Sequence, residues 1–578
     1  MALHVPPVLK RQAESCLFCL RGGGEVGRSA AMAHRSLTKV RSVRSLTRVP
    51  SVNPSDSEAL AVAVRKLEVP VANINDGSVL MKLAEEHLQS LKRLVPSRPV
   101  GPEGDLTWGS MCSGSEGPHF AFLALEAALG KNGLRCNFKH LFSCEITPKK
   151  QEWIRKVLGP HGKDSCCFKD VCKMSKPLAP CVVHGKDCAP LPVDILVVGT
   201  SCKDMSRMSA YSKESRAILR QHWSPGGSAQ TFHGLLAYID RCPPNLVIYE
   251  NVDSMDEGSG ESNVDILLSE FSSRGYEGQR MTLDAQSFGL PQHRRRTWVL
   301  FVRVVANSRV TFVDRGIDRM FVTFCACVSA CQRAAPCASG VLLADDDPAV
   351  EAELERRLAA SGRGTEGGWS EAGLKAHIDL CRSHGLRWGE ATEESLKSRW
   401  FATLSPMQRS TLSFSQKKDP GDVLFRNISQ SAGRVIMSTF RDGKHAAPTQ
   451  LPSQLLWIQP GLAASGQVGS QCNVGRLLLG REALMLQGYP VALVKEAVDT
   501  SSEALLTDLA GNAMAVPIVL AILVSASISL SWRKSDASET RQSTSEELDN
   551  ATALLSMFAS LADAEDDDNL RLKRAKTA

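Results

Sequence analysis

The stretch Asp194-Ile195-Leu196-Val197-Val198-Gly199-Thr200-Ser201-Cys202-Lys203-Asp204-Met205-Ser206 decides how the rest of the chain is read. An uncharged, mostly β-branched run stops at a glycine and gives way to small and polar residues, with one cysteine just past the break. A short run that is apolar at every position suits a strand buried on both faces, as parallel strands are in α/β proteins. The carboxyl ends of such strands form the edge where ligands bind. A thiol at that edge can meet a substrate, whereas one in mid-strand cannot. The segment alone also fits an inert, half-buried loop cysteine, so its neighbours must decide.

The same rhythm repeats on both sides. Leu106–Met111 reads as a strand, Cys112-Ser113-Gly114-Ser115-Glu116-Gly117 as a turn and His119–Leu129 as an amphipathic helix. Strand, glycine-bearing turn and helix amino terminus together offer backbone donors to a nucleotide-like ligand, or simply make a tight turn. Cys136–Glu145 is a strand closing on an acid, which in a dinucleotide-type fold accepts the ribose hydroxyls; a helix-capping surface acid is the alternative. Cys167–Val171 offers a third strand end with Asp170. Downstream, a helix over Ala229–Asp240 leads to the strand Pro244–Val252, which ends in Glu250-Asn251. Phe271–Thr282 leads to another strand end, and Gln292-His293-Arg294-Arg295-Arg296 precedes the strand Thr297–Val302. The expected fold is α/β, a doubly wound Rossmann-like domain with a smaller domain inserted in it.

Composition bounds the rest. The 578 residues allow two to four domains, and a net charge of +6 offers no bulk polycation, so any nucleic-acid surface must be local. Residues 1–95 read as a basic, largely disordered arm with a short amphipathic helix at Ser78–Leu94. Met1–Pro50 carries nine Lys/Arg against Glu14 and Glu25, which describes a transit peptide, a tail touching DNA phosphates or a solvated arm. Met1–Leu9 lacks the apolar core of a secretory signal, so a reducing compartment and free thiols are expected. Cys166, Cys167, Cys172, Cys181, His184 and Cys188 crowd one window. Zinc is one reading of them, but C-x2-H-x3-C is not a matched pair of C-x2-C knuckles, and no metal ligand is assigned.

Residues 306–472, punctuated by Trp369, Trp388 and Trp400, break the strand–helix rhythm and read as a separate domain. The α/β texture returns over 473–531. Ala513–Leu530 holds no charge, which meets the crude membrane-span criterion, yet Pro517 and four serines favour a buried helix and no membrane partner. Residues 532–578 read as a disordered charged tail whose acidic cluster, Asp563–Asp568, precedes Arg571-Leu572-Lys573-Arg574. That basic end is similar to a short nuclear-import signal; a nuclear location is the expectation, with mitochondrion or plastid as the alternative.

The order of these pieces resembles the cytosine-5 DNA methyltransferase family. Cys112–Gly117 is similar to its first motif, F-x-G-x-G-G, and Glu145 and Asp170 to the acids of its second and third. Thr200–Ser206 resembles its P-P-C-Q-x-F-S loop, Glu250-Asn251-Val252 its E-N-V, and Gln292–Arg296 its Q-x-R-x-R. Arg481-Glu482 through Gln487-Gly488-Tyr489-Pro490 resembles R-E-x-x-x-L-Q-G-F-P, and Gly511-Asn512 opens the last motif. The matched segments, about 104–304 and 473–525, lie in a catalytic domain expected over 104–305 and 473–531, with target recognition by residues 306–472.

The resemblance implies S-adenosylmethionine as methyl donor, bound by Cys112, Gly114, Gly117, Glu145, Asp170 and Asn512. It implies a Cys202 thiolate adding to ring carbon 6 of a flipped cytosine, with Glu250 protonating ring nitrogen 3. Arg294 and Arg296 would hold the base carbonyl from one side of an extended segment, and Ser206, Asn251 and Gln292 would line the base pocket. The expected partner is duplex DNA, with RNA as the alternative substrate and a non-catalytic binding protein as the rival class. Four positions depart from the pattern: Cys112, Glu116, Ser201 and Lys203. Glu116 would repel the donor's carboxylate unless it points outward or meets a cation. An electropositive pocket, helped by Lys203, is expected to lower the Cys202 pKa.

Overall fold

The computed structural model describes residues 77–94 and 104–533, apart from 113, 135, 208–216, 222–226, 258–260, 313–315, 362–370, 388–392, 422, 430–438, 442–443 and 460–474. The basic arm before residue 77, Trp369, Trp388, the acidic cluster and the basic end lie outside the described residues.

Seven strands form the central sheet: β1 (Gly104–Met111), β2 (Cys136–Cys144), β3 (Cys166–Phe168), β4 (Ile195–Val198), β5 (Leu246–Val252), β6 (Tyr276–Asp284) and β7 (Arg295–Arg303). Their spatial order is β3-β2-β1-β4-β5-β7-β6. The first five run parallel, and β7 pairs antiparallel with both β5 and β6. The strand order reverses direction between β1 and β4, which is the switch point of a doubly wound sheet.

Strand alternation explains why the central strands read as unbroken apolar runs. Ile195, Val197, Leu246 and Ile248 face one core, and Leu196, Val198, Val247 and Tyr249 face the other. The first core is covered by α1 (Gly77–Leu94), α2 (Gly117–Lys131), α6 (Ile317–Ala330) and α8 (Val516–Ser529). Helices α4 (Ser228–Arg241) and α5 (Asn263–Ser272) cover the second. Helix α3 (Pro148–Leu158) follows β2, and α7 (Glu503–Asn512) precedes α8. At the opposite edge, buried Asp194 ties three strands together. It accepts from the Thr107 amide at 2.9 Å, Asn245 Nδ2 at 3.1 Å and Arg309 Nη1 at 2.7 Å.

Two boundaries differ from the sequence reading. Helix α1 is core rather than part of a loose arm, because Leu80, Leu83, Ala84, Leu88 and Leu91 are buried in the first cluster. Helix α6 belongs to the same core, since Met320, Phe324, Cys327 and Val328 pack into it, and Val310–Phe312 pairs with Leu530–Trp532. A separate small core starts further on, around Val350, Leu354, Trp400, Phe401, Leu412 and Trp457. It includes a three-stranded antiparallel sheet of Phe425–Asn427, Leu456–Ile458 and Arg476–Leu477. Helix α8 is the buried helix expected: all fourteen of its residues are enclosed by protein.

The return from the small core to the large one is fixed by an ion pair. Arg476 donates to both Glu482 carboxylate oxygens, at 2.9 and 2.8 Å, with both side chains almost fully buried. Glu482 also accepts from the Leu343 and Leu479 amides, each at 2.8 Å. Removing Glu482 leaves the buried Arg476 charge to be balanced by part-buried Asp345, 3.3 Å from its Nε. Glu482→Ala is therefore expected to cost about 3–5 kcal/mol, read as a lower urea midpoint than that of the unaltered chain. An unchanged midpoint would contradict the arrangement.

Candidate active site

Strands β2, β1, β4 and β5 end level. Met111 lies beside Cys144 and Val198, and Val198 beside Tyr249. Cys112, Glu145 and Cys202 stand just past the ends of β1, β2 and β4, and Glu250 lies near the end of β5, which runs on to Val252, so residues far apart in sequence meet along one edge.

The Cys202 loop is held from three directions. Thr200 Oγ1 and Tyr249 Oη lie 2.6 Å apart, and Asn251 Nδ2 donates to the Thr200 carbonyl at 2.9 Å. The Ser201 amide donates to Thr231 Oγ1 at 3.0 Å. Asp204 Oδ2 accepts from the Ser228 amide at 2.7 Å, tying the loop to the start of α4. The Met205 and Ser206 amides both donate to the Cys202 carbonyl, at 3.1 and 3.0 Å, which winds the backbone tightly behind the thiol. Arg207 closes the far end by pairing with Asp253 and Glu257.

Glu250 stands on the next strand. Its Oε1 is buried without a hydrogen-bond partner among the described residues, 3.4 Å from Arg296 Nε. Antiparallel register explains the meeting, since Val252 at the end of β5 is opposite Arg296 near the start of β7. Burial pushes the Glu250 carboxyl above its ordinary 4.5, against the pull of Arg296 and then Arg294. Burial likewise pushes the Cys202 thiol above its ordinary 9.0; Arg296 opposes that rise and Glu250 adds to it. The expectation of a lowered Cys202 pKa is thus reversed. Dehydration outweighs the arginine charges, and Lys203 is exposed on the outer side of the loop.

Four residues expected to contact the base, Asn251, Gln292, Arg294 and Ser206, make other contacts in the structure. Asn251 is buried and pins Thr200, with Tyr249 Oη 3.2 Å away. Gln292 is fully buried, accepts from Gln487 Nε2 at 2.8 Å and bridges Ala447 of the inserted segment through its backbone. Arg294 spends its guanidinium on backbone carbonyls: Gln450 at 3.2 Å, Gly511 at 3.2 Å and Ala513 at 2.6 Å. It cross-ties the insert and the last motif to β7, leaving Arg296 as the arginine paired with Glu250. Ser206 contributes its amide to the turn behind Cys202.

A second cluster sits at the ends of β1 to β3. Gly114 has φ +63°, and a Cβ there would lie 3.7 Å from Asn512 Cβ, 3.8 Å from Glu145 Oε2 and 3.9 Å from Lys150 Cδ. Glu145 is buried; its Oε1 accepts from the Thr147 amide at 2.8 Å while Oε2 faces Gly114. Cys112 sits in the fields of Glu145 and Asp170, which add to the rise that burial imposes on its thiol. Asp170 caps a short 3-10 turn by accepting from the Cys172 amide at 2.9 Å. Asn512 is exposed at the rim, its Nδ2 donating to the Asp508 carbonyl at 2.8 Å. Nearly buried Lys150 pairs with Asp508 at 2.9 Å and was not singled out in the sequence. Spacing alone gives a lysine in the first turn of α3 no mark.

Glu116 and Gly117 complete the first motif in an unexpected way. Glu116, at φ +60°, turns its side chain into the core, where it accepts from Ser110 Oγ at 2.9 Å beside His140. Burial holds His140 low, at about 3, so the imidazole is neutral. The feared repulsion is therefore directed away from the cluster. Gly117 does not line it either: a Cβ there would meet Tyr489 Oη at 2.5 Å and the Met514 carbonyl at 3.3 Å. Tyr489 Oη in turn donates to Ser115 Oγ. Gly117→Ala is expected to destabilise by about 1–3 kcal/mol through overpacking, measured by thermal unfolding. Tyr489→Phe in the same chain should recover part of the loss; no recovery would contradict the contact.

Residues 108–312 match the model of the family described as C-5 cytosine-specific DNA methylase. Among curated proteins, the chain is 28% identical over 456 residues to "DNA (cytosine-5-)-methyltransferase DMT5" of Cryptococcus neoformans, covering 72% of this chain and 17% of that protein. It is 26% identical over 480 residues to a protein of the same name from Verticillium dahliae, covering 72% and 19%. The chain thus spans less than a fifth of the length of these relatives. Similar solved structures include the S. pombe Dnmt2 methyltransferase, at 13% identity and TM-score 0.35 over 72% of this chain and 97% of that one. Another is the Entamoeba histolytica methyltransferase EhMeth, at 10% identity and TM-score 0.38 over 73% and 97%.

Proposed function

We propose that this chain, which belongs to the cytosine-5 DNA methyltransferase family, transfers a methyl group to ring carbon 5 of cytosine in duplex DNA. The observation that carries the reading is the pairing of the pinned Cys202 loop with Glu250, whose buried Oε1 lacks a hydrogen bond 3.4 Å from Arg296.

Ring carbon 5 of cytosine is a weak nucleophile, and the residues at this edge supply what it lacks. The Cys202 thiolate adds to ring carbon 6, forming a C–S bond and pushing the ring electrons toward nitrogen 3. Glu250 gives nitrogen 3 its proton, and Arg296 holds the carboxylate that remains. A thiol beside a carboxylate carries the same net charge as a thiolate beside a carboxyl group. The reactive form is therefore reached by moving one proton within the site, without exchange with solvent. After transfer, carbon 5 gives its proton to solvent and the C–S bond breaks, restoring the aromatic ring and the Cys202 thiolate, while nitrogen 3 returns its proton to Glu250. Because ring atoms are out of reach in a stacked duplex, the target base must be flipped out.

S-adenosylmethionine fits the second cluster and supplies an electrophilic methyl group there. Gly114 leaves a cradle that a side chain would fill, and the free Oε2 of Glu145 suits a ribose hydroxyl. Cys112, Asp170 and Asn512 flank the same cradle; Gly117 supports it by packing under Tyr489. The inserted small core, joined to β7 through Gln292 and Arg294, is the part we assign to reading the target strand.

The test is to incubate the chain with S-adenosylmethionine labelled on its methyl group and either duplex DNA or tRNA. Label on carbon 5 of cytosine in DNA is expected. Label in tRNA alone would move the substrate to RNA, and none in either, with donor binding intact, would support a non-catalytic binding role.

A further inference from the structure

We propose that Cys166, Cys181, His184 and Cys188 form a structural zinc site that fastens the segment after β3 to the edge of the central sheet. The four ligand atoms all lie within 4.8 Å of one another. His184 Nδ1 is 3.6 Å from Cys166 Sγ, 3.4 Å from Cys181 Sγ and 3.4 Å from Cys188 Sγ.

These distances match a tetrahedron around a metal. With Zn–S bonds of about 2.3 Å and a Zn–N bond of about 2.0–2.1 Å, the S···N edge of a regular tetrahedron is about 3.5–3.6 Å. Hydrogen bonding does not account for the convergence. One imidazole nitrogen offers a single in-plane lone pair or a single N–H, and three sulfurs crowd around it. A cation at their centre satisfies all four groups at once. Three thiolates and one imidazole are a soft, closed donor set, which suits zinc held for structure rather than catalysis.

The local fold brings the ligands together. Cys166 opens β3, the edge strand. The chain then returns as a small antiparallel ladder, with Ala179 opposite Cys188 and Cys181 bridged to Phe168. The Val182 amide donates to the Cys167 carbonyl at 2.7 Å, laying the hairpin along β3. Cys166, Cys181 and Cys188 are all free of disulfides. The spacing C-x14-C-x2-H-x3-C hides the set, because its first member lies on a strand well before the other three. The sequence reading assigned no metal ligand here, and this geometry argues for revising it. Asp170 lies on the loop between the first two ligands, so the metal would also steady one wall of the cradle described above.

The decisive measurement is elemental analysis of the full chain, purified without added metal or chelator. About one equivalent of zinc per chain is expected. Cys188→Ser should lose it, and Cys172→Ser, which alters a neighbouring cysteine outside the cluster, should keep it. Should Cys188→Ser fail to fold, cobalt exchanged into the unaltered chain gives a second reading. Visible d–d bands and sulfur-to-cobalt charge transfer are expected from a tetrahedral thiolate site. A folded chain without zinc whose Cys166, Cys181 and Cys188 all react with a thiol reagent would overturn the proposal. A disulfide among the three would overturn it equally, and both outcomes leave the reading of Cys202 untouched.

Discussion

Cys202→Ala is expected to abolish methyl transfer while leaving the fold and donor binding in place. Cys202 is the thiol held in the fields of Arg296 and Glu250, and water is a far poorer nucleophile toward ring carbon 6. The loss should reach about 10⁴-fold or more in kcat, the scale seen when the nucleophile of a covalent mechanism is removed. The loop should survive, because its ties run through Thr200, Ser201, Asp204 and Ser206 and none uses the Cys202 sulfur. Donor affinity by calorimetry should be unchanged. Activity within tenfold of the unaltered chain would remove Cys202 from the chemistry.

Glu250→Gln carries the second large effect, a loss of about 10²–10⁴-fold near neutral pH, the usual worth of a positioned acid. Its signature is the shape of the pH profile. In the unaltered chain the competent site holds one proton between Glu250 and Cys202. The rate should rise as pH climbs through the carboxyl pKa, above 4.5, because a site holding two protons keeps its thiol. It should level off, then fall above the thiol pKa, itself above 9.0, where Glu250 has no proton left to give. With glutamine in place, the acid limb is lost as a carboxyl titration. The remaining rate should keep climbing with pH until the thiol ionises. A glutamine variant with the original bell would show that Glu250 is not the titrating group.

Much of this organisation is legible in the sequence, for physical reasons. Parallel strands buried on both faces announce themselves as unbroken apolar runs, as Ile195–Val198 and Leu246–Tyr249 do. That pattern alone places Cys202, Glu145 and Glu250 on one edge of the sheet. It does not say which way a side chain turns. Asn251 and Tyr249 are two residues apart on β5, hence on the same face, and Glu250 is on the other. The period of the strand already separates the acid from its neighbour, although the E-N-V resemblance groups them as site residues. Gln292, Arg294 and Gly117 illustrate the same limit. Their positions are fixed by packing against Gln487, the Gly511–Ala513 backbone and Tyr489, all distant in the chain. Glu116 shows the reverse case, a residue alarming in the motif whose left-handed backbone turns it away.

The thiol is the clearest case where composition misleads. An electropositive pocket with Lys203 in the loop suggested an acidic sulfur, but the charges of Arg296 and Arg294 work against burial, and burial is the larger effect. A raised thiol pKa fits a site that makes its nucleophile only when the base and a proton acceptor are both in place. It also protects the cysteine from oxidation between turnovers, since the thiolate is the reactive form.

The central claim is a covalent bond between Cys202 and ring carbon 6, and a duplex carrying 5-fluorocytosine tests it most directly. Fluorine leaves carbon 5 no proton to lose, so an adduct that forms is held once the methyl group has been transferred. Incubated with S-adenosylmethionine, the unaltered chain should give a denaturation-resistant protein–DNA species whose mass is their sum plus the methyl group gained and less the thiol hydrogen lost. Peptide mapping should place the link on Cys202, and Cys202→Ala should give none. Methylation of ordinary cytosine without any trapped species, or a link mapped to another residue, would contradict the account.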